Sequence, residues 1–327
     1  MRMIHISQYD QNKMELAKPV YDGKRRILLA AGRTIHPVYL EKLKELKIST
    51  LIVEDMESTG ITLEEMVDMP TWMDAIEIVR DVYENVASNK PIPLVAIQKM
   101  VSKLVAEVKQ RRIILLFPTS SLPIELFPYA HAVNVTLLSL QVARHLQYNE
   151  LQLHDLAIGC LLHDIGKAHG RESEKHCEAG FSILRKMREI SLLSAHIAYQ
   201  HHETMDGKGY PRGIRGEEFL EFAQICAVTN LFENFISVQH MPPHEAIERI
   251  MALSGSAYLP SIIEAFVRKV PAYPPGTKLL LHNGEEAIVT QITTHMQRPV
   301  VRIFSTDKEI SLADNPTIVV KGLAHSV

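Results

Sequence analysis

The sequence predicts a mainly α protein: a helical bundle preceded by a small α+β module and followed by a small β-barrel-like module. Three observations predict this. Apolar residues recur at helical spacing from Trp72 to about residue 270. Short β-rich runs around a turn open the chain. From Pro271 onward the helical period gives way to strand-length runs flanked by Pro and Gly. The 327 residues suffice for two or three domains. The expected boundaries are 1–70 for the first module, 71–114 for connecting helices, 115–270 for the main helical domain and 271–327 for the last module.

In the first module, residues 18–21 and 26–30 read as strands about the turn Asp22-Gly23. Pro37 fits the first turn of a helix through Leu46, with Leu40, Leu43 and Leu46 on one face. Residues 49–53 read as a closing strand. Two amphipathic helices follow, at 72–87 and 94–109. Trp72, Ile76, Val79 and Tyr83 stripe the first; Ile97, Met100, Val101, Leu104 and Val108 stripe the second. Such stripes are more often core or dimer packing than a cofactor site. After Pro118, Pro123 and Pro128, a helix from about Tyr129 to His145 carries His131. A second runs from about Leu151 to His163-Asp164. A third starts near Ser173 and contains His176, a fourth runs from Ser191 to Gln200, and a fifth from Phe219 to Phe235 carries Asn230. In the tail, residues 278–281, 286–290 and 300–304 read as strands, with a hairpin turn at 282–285. Barrels of this size can bind peptides or nucleic acid, but the mixed local charge favours packing within the molecule.

Bulk properties exclude several classes. Hydrophobic content of 46% and charged content of 22% are those of a globular protein, and the net charge of −3 gives no overall attraction to DNA. Cys160, Cys177 and Cys226 form no CxxC motif, and the N-terminus has no apolar leader, so a cytoplasmic location is expected. No apolar run reaches the roughly 20 residues of a membrane span.

The chemistry concentrates around His163-Asp164, within Leu161-Leu162-His163-Asp164-Ile165-Gly166-Lys167. An adjacent imidazole and carboxylate at the end of an apolar helix can converge on one divalent metal such as iron, manganese or zinc. The pair is accompanied by His131, His176 and His201-His202-Glu203, the last leading into Asp206-Gly207-Lys208-Gly209-Tyr210-Pro211. Any one buried histidine is more often a hydrogen-bonded core residue than a ligand. His169 and His196 match no ligand position and read as solvated. Gly207, Gly209 and Pro211 alone would mean only a turn.

Taken in order, these residues resemble the HD-GYP family, a helical HD-domain bundle whose members are metal-dependent phosphodiesterases of cyclic di-GMP. His131-Ala132-Val133-Asn134-Val135 is similar to the family's HSVNV, and His176-Cys177-Glu178-Ala179-Gly180 to its HPExG with Cys177 replacing the proline. The resemblance implies two divalent transition metals, iron or manganese first and zinc as an alternative. One would be held by His131, His163, Asp164 and Asn230, the other by Asp164, His176, His201 and His202, with Asp164 bridging. It implies that Asp164 and Lys167 serve catalysis. Lys167, Gly209, Tyr210, Pro211, Arg212 and Arg215 would meet the substrate, Tyr210 stacking on a base and the arginines pairing with phosphate. The implied partners are a cyclic dinucleotide, proteins of cyclic di-GMP signalling and a second copy of the chain. The first module is too short for a receiver domain.

Four departures bear on activity. Asn230 stands where the family carries a metal-binding aspartate. Gln224 and Glu233 replace an arginine and a second aspartate of the same helix. The loop between Lys167 and His176 is short. A basic stretch after that helix is reduced to Ser237-Val238-Gln239-His240-Met241. Phe127 occupies the position of a glutamate that would bring a third metal, so none is expected. Two readings follow: a working two-metal phosphodiesterase with a weakened first position, or a degenerate member that binds metal or nucleotide as a sensor or partner-recruiting module. A mononucleotide hydrolase is a third, disfavoured by the GYP loop.

Overall fold

A computed structural model describes residues 1–63, 67–170 and 174–324. Packing divides the chain into two units. One comprises Met1–Glu64, Phe117–Phe127 and Pro271–Val327; the other comprises Glu65–Leu116 and Pro128–Val270. The two ends of the chain therefore fold together.

The first unit begins with strands β1 (Arg2–His5), β2 (Glu15–Leu16), β3 (Val20–Tyr21) and β4 (Ile27–Leu29), helix α1 (Pro37–Glu45) and strand β5 (Thr50–Glu54). β3 and β4 pair antiparallel about the expected turn. α1 starts where Pro37 places it, with the His36 side chain accepting the Val38 amide. β5 is the centre of an antiparallel sheet of order β1-β5-β2. The flanking strands were not legible in sequence, being two to four residues long. Ile4, Ile6, Leu16, Ile35, Leu43, Leu51 and Val53 form the core beneath.

The second unit is helical. Its helices are α2 (Met69–Ala87), α3 (Leu94–Gln110), α4 (Phe127–His145), α5 (Glu150–Leu161), α6 (Lys175–Leu184), α7 (Leu192–Gln200), α8 (Glu221–Ser237), α9 (Pro243–Met251) and α10 (Pro260–Val267). The Asp68, Asn149 and Ser191 side chains cap α2, α5 and α7 by accepting backbone amides. The stripes read on α2 and α3 are buried within the chain, as core. Trp72 on α2 donates its Nε1 hydrogen to Asn134 Oδ1 on α4, at 3.0 Å. The start of α6 near Ser173 lies outside the described residues.

Two expectations need correction here. α5 stops at Leu161, so His163-Asp164 do not lie on it. They occupy a turn before a 3-10 segment, Ile165–His169, because Leu162 and Asp164 leave helical ψ for values near 10°. That turn releases the Asp164 side chain toward α6 and α7. Gly166 makes this seat possible: a Cβ there would lie 2.0 Å from the His176 carbonyl oxygen. His196 is also not solvated. It sits half-buried against the Phe181 and Tyr199 rings, with centroids 4.8 and 6.3 Å away.

The chain returns to the first unit with β6 (Lys278–Leu281), β7 (Glu286–Gln291), β8 (Val300–Ile303), β9 (Glu309–Ser311) and β10 (Val320–Leu323). They form one antiparallel sheet of order β10-β6-β7-β8-β9. It is open rather than the expected barrel: β9 and β10 lie at opposite edges, and among the described residues they do not pair. The sheet packs on the N-terminal segment instead of closing on itself. Arg302 donates to the carbonyls of Glu57 and Thr59 at 2.6 and 3.0 Å, and Lys278 pairs with Glu57 at 2.6 Å. Among the described residues no helix is long and apolar enough to cross a membrane.

Candidate metal centre

The site is built from four helical pieces meeting at Asp164, which is buried. Its Oδ1 lies 3.2 Å from His176 Nε2 on α6 and 3.4 Å from His201 Nε2 at the end of α7. Those two nitrogens are themselves 3.2 Å apart. Its Oδ2 accepts from Lys167 Nζ at 2.5 Å and lies 3.5 Å from His163 Nε2. His131, His163 and Asp164 present ligand atoms within 4.8 Å of one another, and so do His176, Cys177, His201 and His202. One carboxylate thus touches both donor groups.

Three of the rings are aimed by their other nitrogen. His163 Nδ1 donates to the Cys160 carbonyl at 2.7 Å. His201 Nδ1 donates to the carbonyls of Ile197 and Ala198, both at 3.1 Å. His131 Nδ1 is held by Glu233 Oε2. A carboxylate or carbonyl behind a ligating imidazole fixes its tautomer and raises its basicity. Glu233 in turn is anchored by Ser237 at 2.5 Å and by Asn134 at 3.4 Å.

The electrostatics follow from burial and partners. Burial pushes the His163, His201 and His202 imidazoles below their usual range, which keeps them neutral. Burial acts to raise the Asp164 carboxyl, but the surrounding imidazoles and Lys167 outweigh it and hold it well below the carboxylate range. For His131, burial is outweighed by the Glu233 carboxylate, which raises the imidazole. The Cys177 thiol and Tyr210 phenol are each pushed up to about 12 by burial.

The donors fit a divalent metal. Asp164 Oδ1 and His163 Nε2 are buried and make no hydrogen bond. A point equidistant from Asp164 Oδ1, His176 Nε2 and His201 Nε2 lies about 1.9 Å from each, close to the ~2.0–2.2 Å of zinc bonds to nitrogen and oxygen.

Other residues from the sequence fall differently. Tyr210 stacks on His202, centroids 4.5 Å apart and planes 20° from parallel. Gly209 is a close approach: a Cβ would lie 2.3 Å from Glu203 Cα and 2.5 Å from the His202 carbonyl oxygen. The bond to Pro211 is cis. Arg212 faces Glu218 at 3.7 Å and the Tyr199 ring at 5.7 Å, and Arg215 runs against Gly207. Asn230 is buried on α8, with its side-chain oxygen accepting from Asn234 Nδ2 at 3.0 Å. Gln224 ties the Phe219 carbonyl to the Leu259 amide at 2.9 and 3.0 Å. His169 is exposed.

Two positions that hold the site's residues in place escaped sequence reasoning. Glu203, fully buried, accepts the Arg212 and Ile214 amides at 2.7 and 3.2 Å and so staples the loop after the double histidine. Its signal was an acid directly following two ligand candidates. Glu233 was noted only as a replacement; its spacing of 102 residues from His131 hid the pairing.

Comparison with known proteins gives a consistent set of likenesses. A family model described as HD domain matches residues 96–262, just over half of the chain. A cyclic di-GMP phosphodiesterase of Pseudomonas aeruginosa is 28% identical over 199 residues, 54% of this chain and 48% of the relative. A cyclic di-GMP phosphodiesterase of Thermotoga maritima is 32% identical over 161 residues, 43% of this chain and 44% of the relative. The chain therefore spans about half the length of these curated relatives. A solved HDG"Y"P protein from Bdellovibrio bacteriovorus is similar in fold, with a TM-score of 0.51 at 18% identity, covering 81% of this chain and 97% of that one.

Proposed function

The chain belongs to the HD domain family, and from that premise we propose that it is a metal-dependent phosphodiesterase of a cyclic dinucleotide, with cyclic di-GMP as the substrate. The observation that carries this reading is the Asp164 carboxylate set between His131 and His163 on one side and His176 and His201 on the other. His131, His163, Asp164 and Asn230 would hold one divalent ion; Asp164, His176, His201 and His202 would hold the other. Iron or manganese suits the mixed nitrogen and oxygen donors of the first position. When bound, such a pair supplies an acidified water and positive charge for the phosphate oxygens.

The chain's own residues do the rest. Neutral imidazoles would leave the positive charge of bound ions largely uncompensated, so an anionic diester would be drawn in. Lys167, partly exposed beside Asp164, presents its ammonium to a phosphate oxygen or the leaving group. Tyr210, backed by His202, offers an aromatic face for a base. Glu203 keeps that face in place by fixing the backbone at Arg212 and Ile214. Cyclic di-GMP turnover by anaerobically purified protein loaded with Mn(II) or Fe(II) tests this. Loss of turnover in a His163→Ala/Asp164→Ala variant is expected. No turnover by metal-loaded wild type would overturn the enzymatic reading.

One observation favours a second reading, a metal- or nucleotide-binding sensor module. The Asn230 oxygen is already engaged by Asn234, so this amide is a poorer ligand than the aspartate it replaces. Asn230→Asp separates the two readings. A large rise in metal content and turnover marks an attenuated enzyme; no rise favours the binding module.

A further inference from the structure

We propose that the Cys177 thiolate, in place of His202, is the fourth ligand of the ion held by Asp164, His176 and His201, making this a mixed sulfur, nitrogen and oxygen position that selects zinc over manganese. The proposal rests on the metal-dependent reading above and adds a donor that the family pattern, with proline at this place, does not have.

Cys177 is fully buried in the first turn of α6. Its Sγ lies 3.5 Å from His176 Nε2, the same nitrogen that faces His201 Nε2 and Asp164 Oδ1, each at 3.2 Å. Tetrahedral zinc, with bonds of about 2.0 Å to nitrogen and about 2.3 Å to sulfur, requires N···N separations near 3.4 Å and N···S separations near 3.6 Å. The three N/O separations and the one N···S separation are close to four edges of such a polyhedron, and the His201 ligand nitrogen lies within 4.8 Å of the sulfur. A hydrogen bond from the thiol to imidazole would account for the sulfur distance alone. It would not account for the rest of the cluster. His201 Nδ1 donates to backbone carbonyls, so its Nε2 carries a lone pair, and Asp164 Oδ1 is a buried acceptor without a hydrogen bond. These two acceptors lie 3.4 Å apart, an approach that a cation between them would relieve.

The sulfur is held there by the same close approach that seats α6. Gly166 and Gly180 have no side chains to separate the helix from the Asp164 turn: a Cβ on Gly166 would lie 2.0 Å from the His176 carbonyl oxygen and 2.7 Å from the Gly180 nitrogen. Cys177, immediately after His176, is carried toward the cluster with it. On binding, the thiol proton leaves to solvent and a sulfur–metal bond takes its place, with no change in oxidation state. Thiolate favours zinc, whereas manganese prefers oxygen donors, so the soft donor sets the preference.

Metal-stripped full-length protein titrated anaerobically with Co(II) gives the test. The expected spectrum combines d–d bands with a near-ultraviolet sulfur-to-cobalt charge-transfer band. Cys177→Ala removes the charge-transfer band and keeps the d–d bands, whereas Cys226→Ala leaves both. Cys177→Ser, closer in size, serves the same purpose if the alanine variant does not fold. In chelator competition, loss of Cys177 lowers zinc affinity on the order of 10- to 100-fold and manganese affinity by no more than about threefold. Cobalt binding without the charge-transfer band, or a band that survives both Cys177 variants, overturns the thiolate ligand while leaving the metal site standing. Failure to bind Co(II) at all overturns the thiolate ligand and the metal-dependent reading together.

Discussion

The two oxygens of Asp164 divide the site between them: Oδ2 faces Lys167 and His163, and Oδ1 faces His176 and His201. At this scale the sequence was most legible where candidate ligands are neighbours in the chain. His163-Asp164 and His201-His202 announce themselves, because adjacent donors need no fold to bring them together. Glu233 did not, because its function depends on His131, which only the packing of α4 on α8 provides. Its carboxylate orients that imidazole and raises its basicity, so Glu233→Gln should lower metal affinity about 10- to 100-fold. Metal content after equilibrium dialysis measures this; unchanged content would show that Glu233 serves packing alone. Asn230 was singled out as a departure, but its engagement with Asn234 could be seen only in three dimensions.

Among the elements, the helices were read from their apolar stripes, and α2 and α3 bury those stripes. The end of α5 was not readable, since residues 161–165 contain neither Gly nor Pro and every one is compatible with a helix. α5 stops where Leu162 leaves helical ψ, and His163 and Asp164 follow in a turn. The glycines of the loops are more decisive than their turn-forming character suggested. Gly209→Ala drives a Cβ into the backbone of His202 and Glu203. The expected cost is about 1–3 kcal/mol, read as a lowered Tm in thermal denaturation. An unchanged Tm would show that the loop after the double histidine yields freely. Gly166→Ala should act more severely, because the Cβ would meet backbone of α6 and lift His176 away from Asp164. The measured signature is loss of bound metal together with lowered stability; retention of both would contradict a rigid seat.

For the molecule as a whole, the least legible feature was that its ends fold as one unit. Arg302 donates to carbonyls more than 240 residues earlier, and no local pattern encodes that. The barrel expectation failed for the same reason: the strands were recognisable, but the surface that covers the sheet lies at the other end of the chain. Within this unit Arg2 pairs with Asp55 at 2.8 Å, both side chains nearly buried. Burial acts to raise the Asp55 carboxyl, but Arg2 and Ser58 outweigh it and hold it below the usual range. A carboxyl depressed on folding stabilises fully above its unfolded pKa of about 3.9, and the contribution is lost as pH falls through the lower folded value. Asp55→Asn should therefore flatten the acid limb of the stability profile below about pH 4, measured by denaturant unfolding across pH. An identical acid limb would show that the pair contributes nothing. That Asp164 is shared between two metal positions is tested most directly by counting ions per chain in wild type and Asp164→Asn, by elemental analysis after anaerobic loading. Two ions per chain falling to fewer than one is the predicted result; two ions retained by the variant would contradict it.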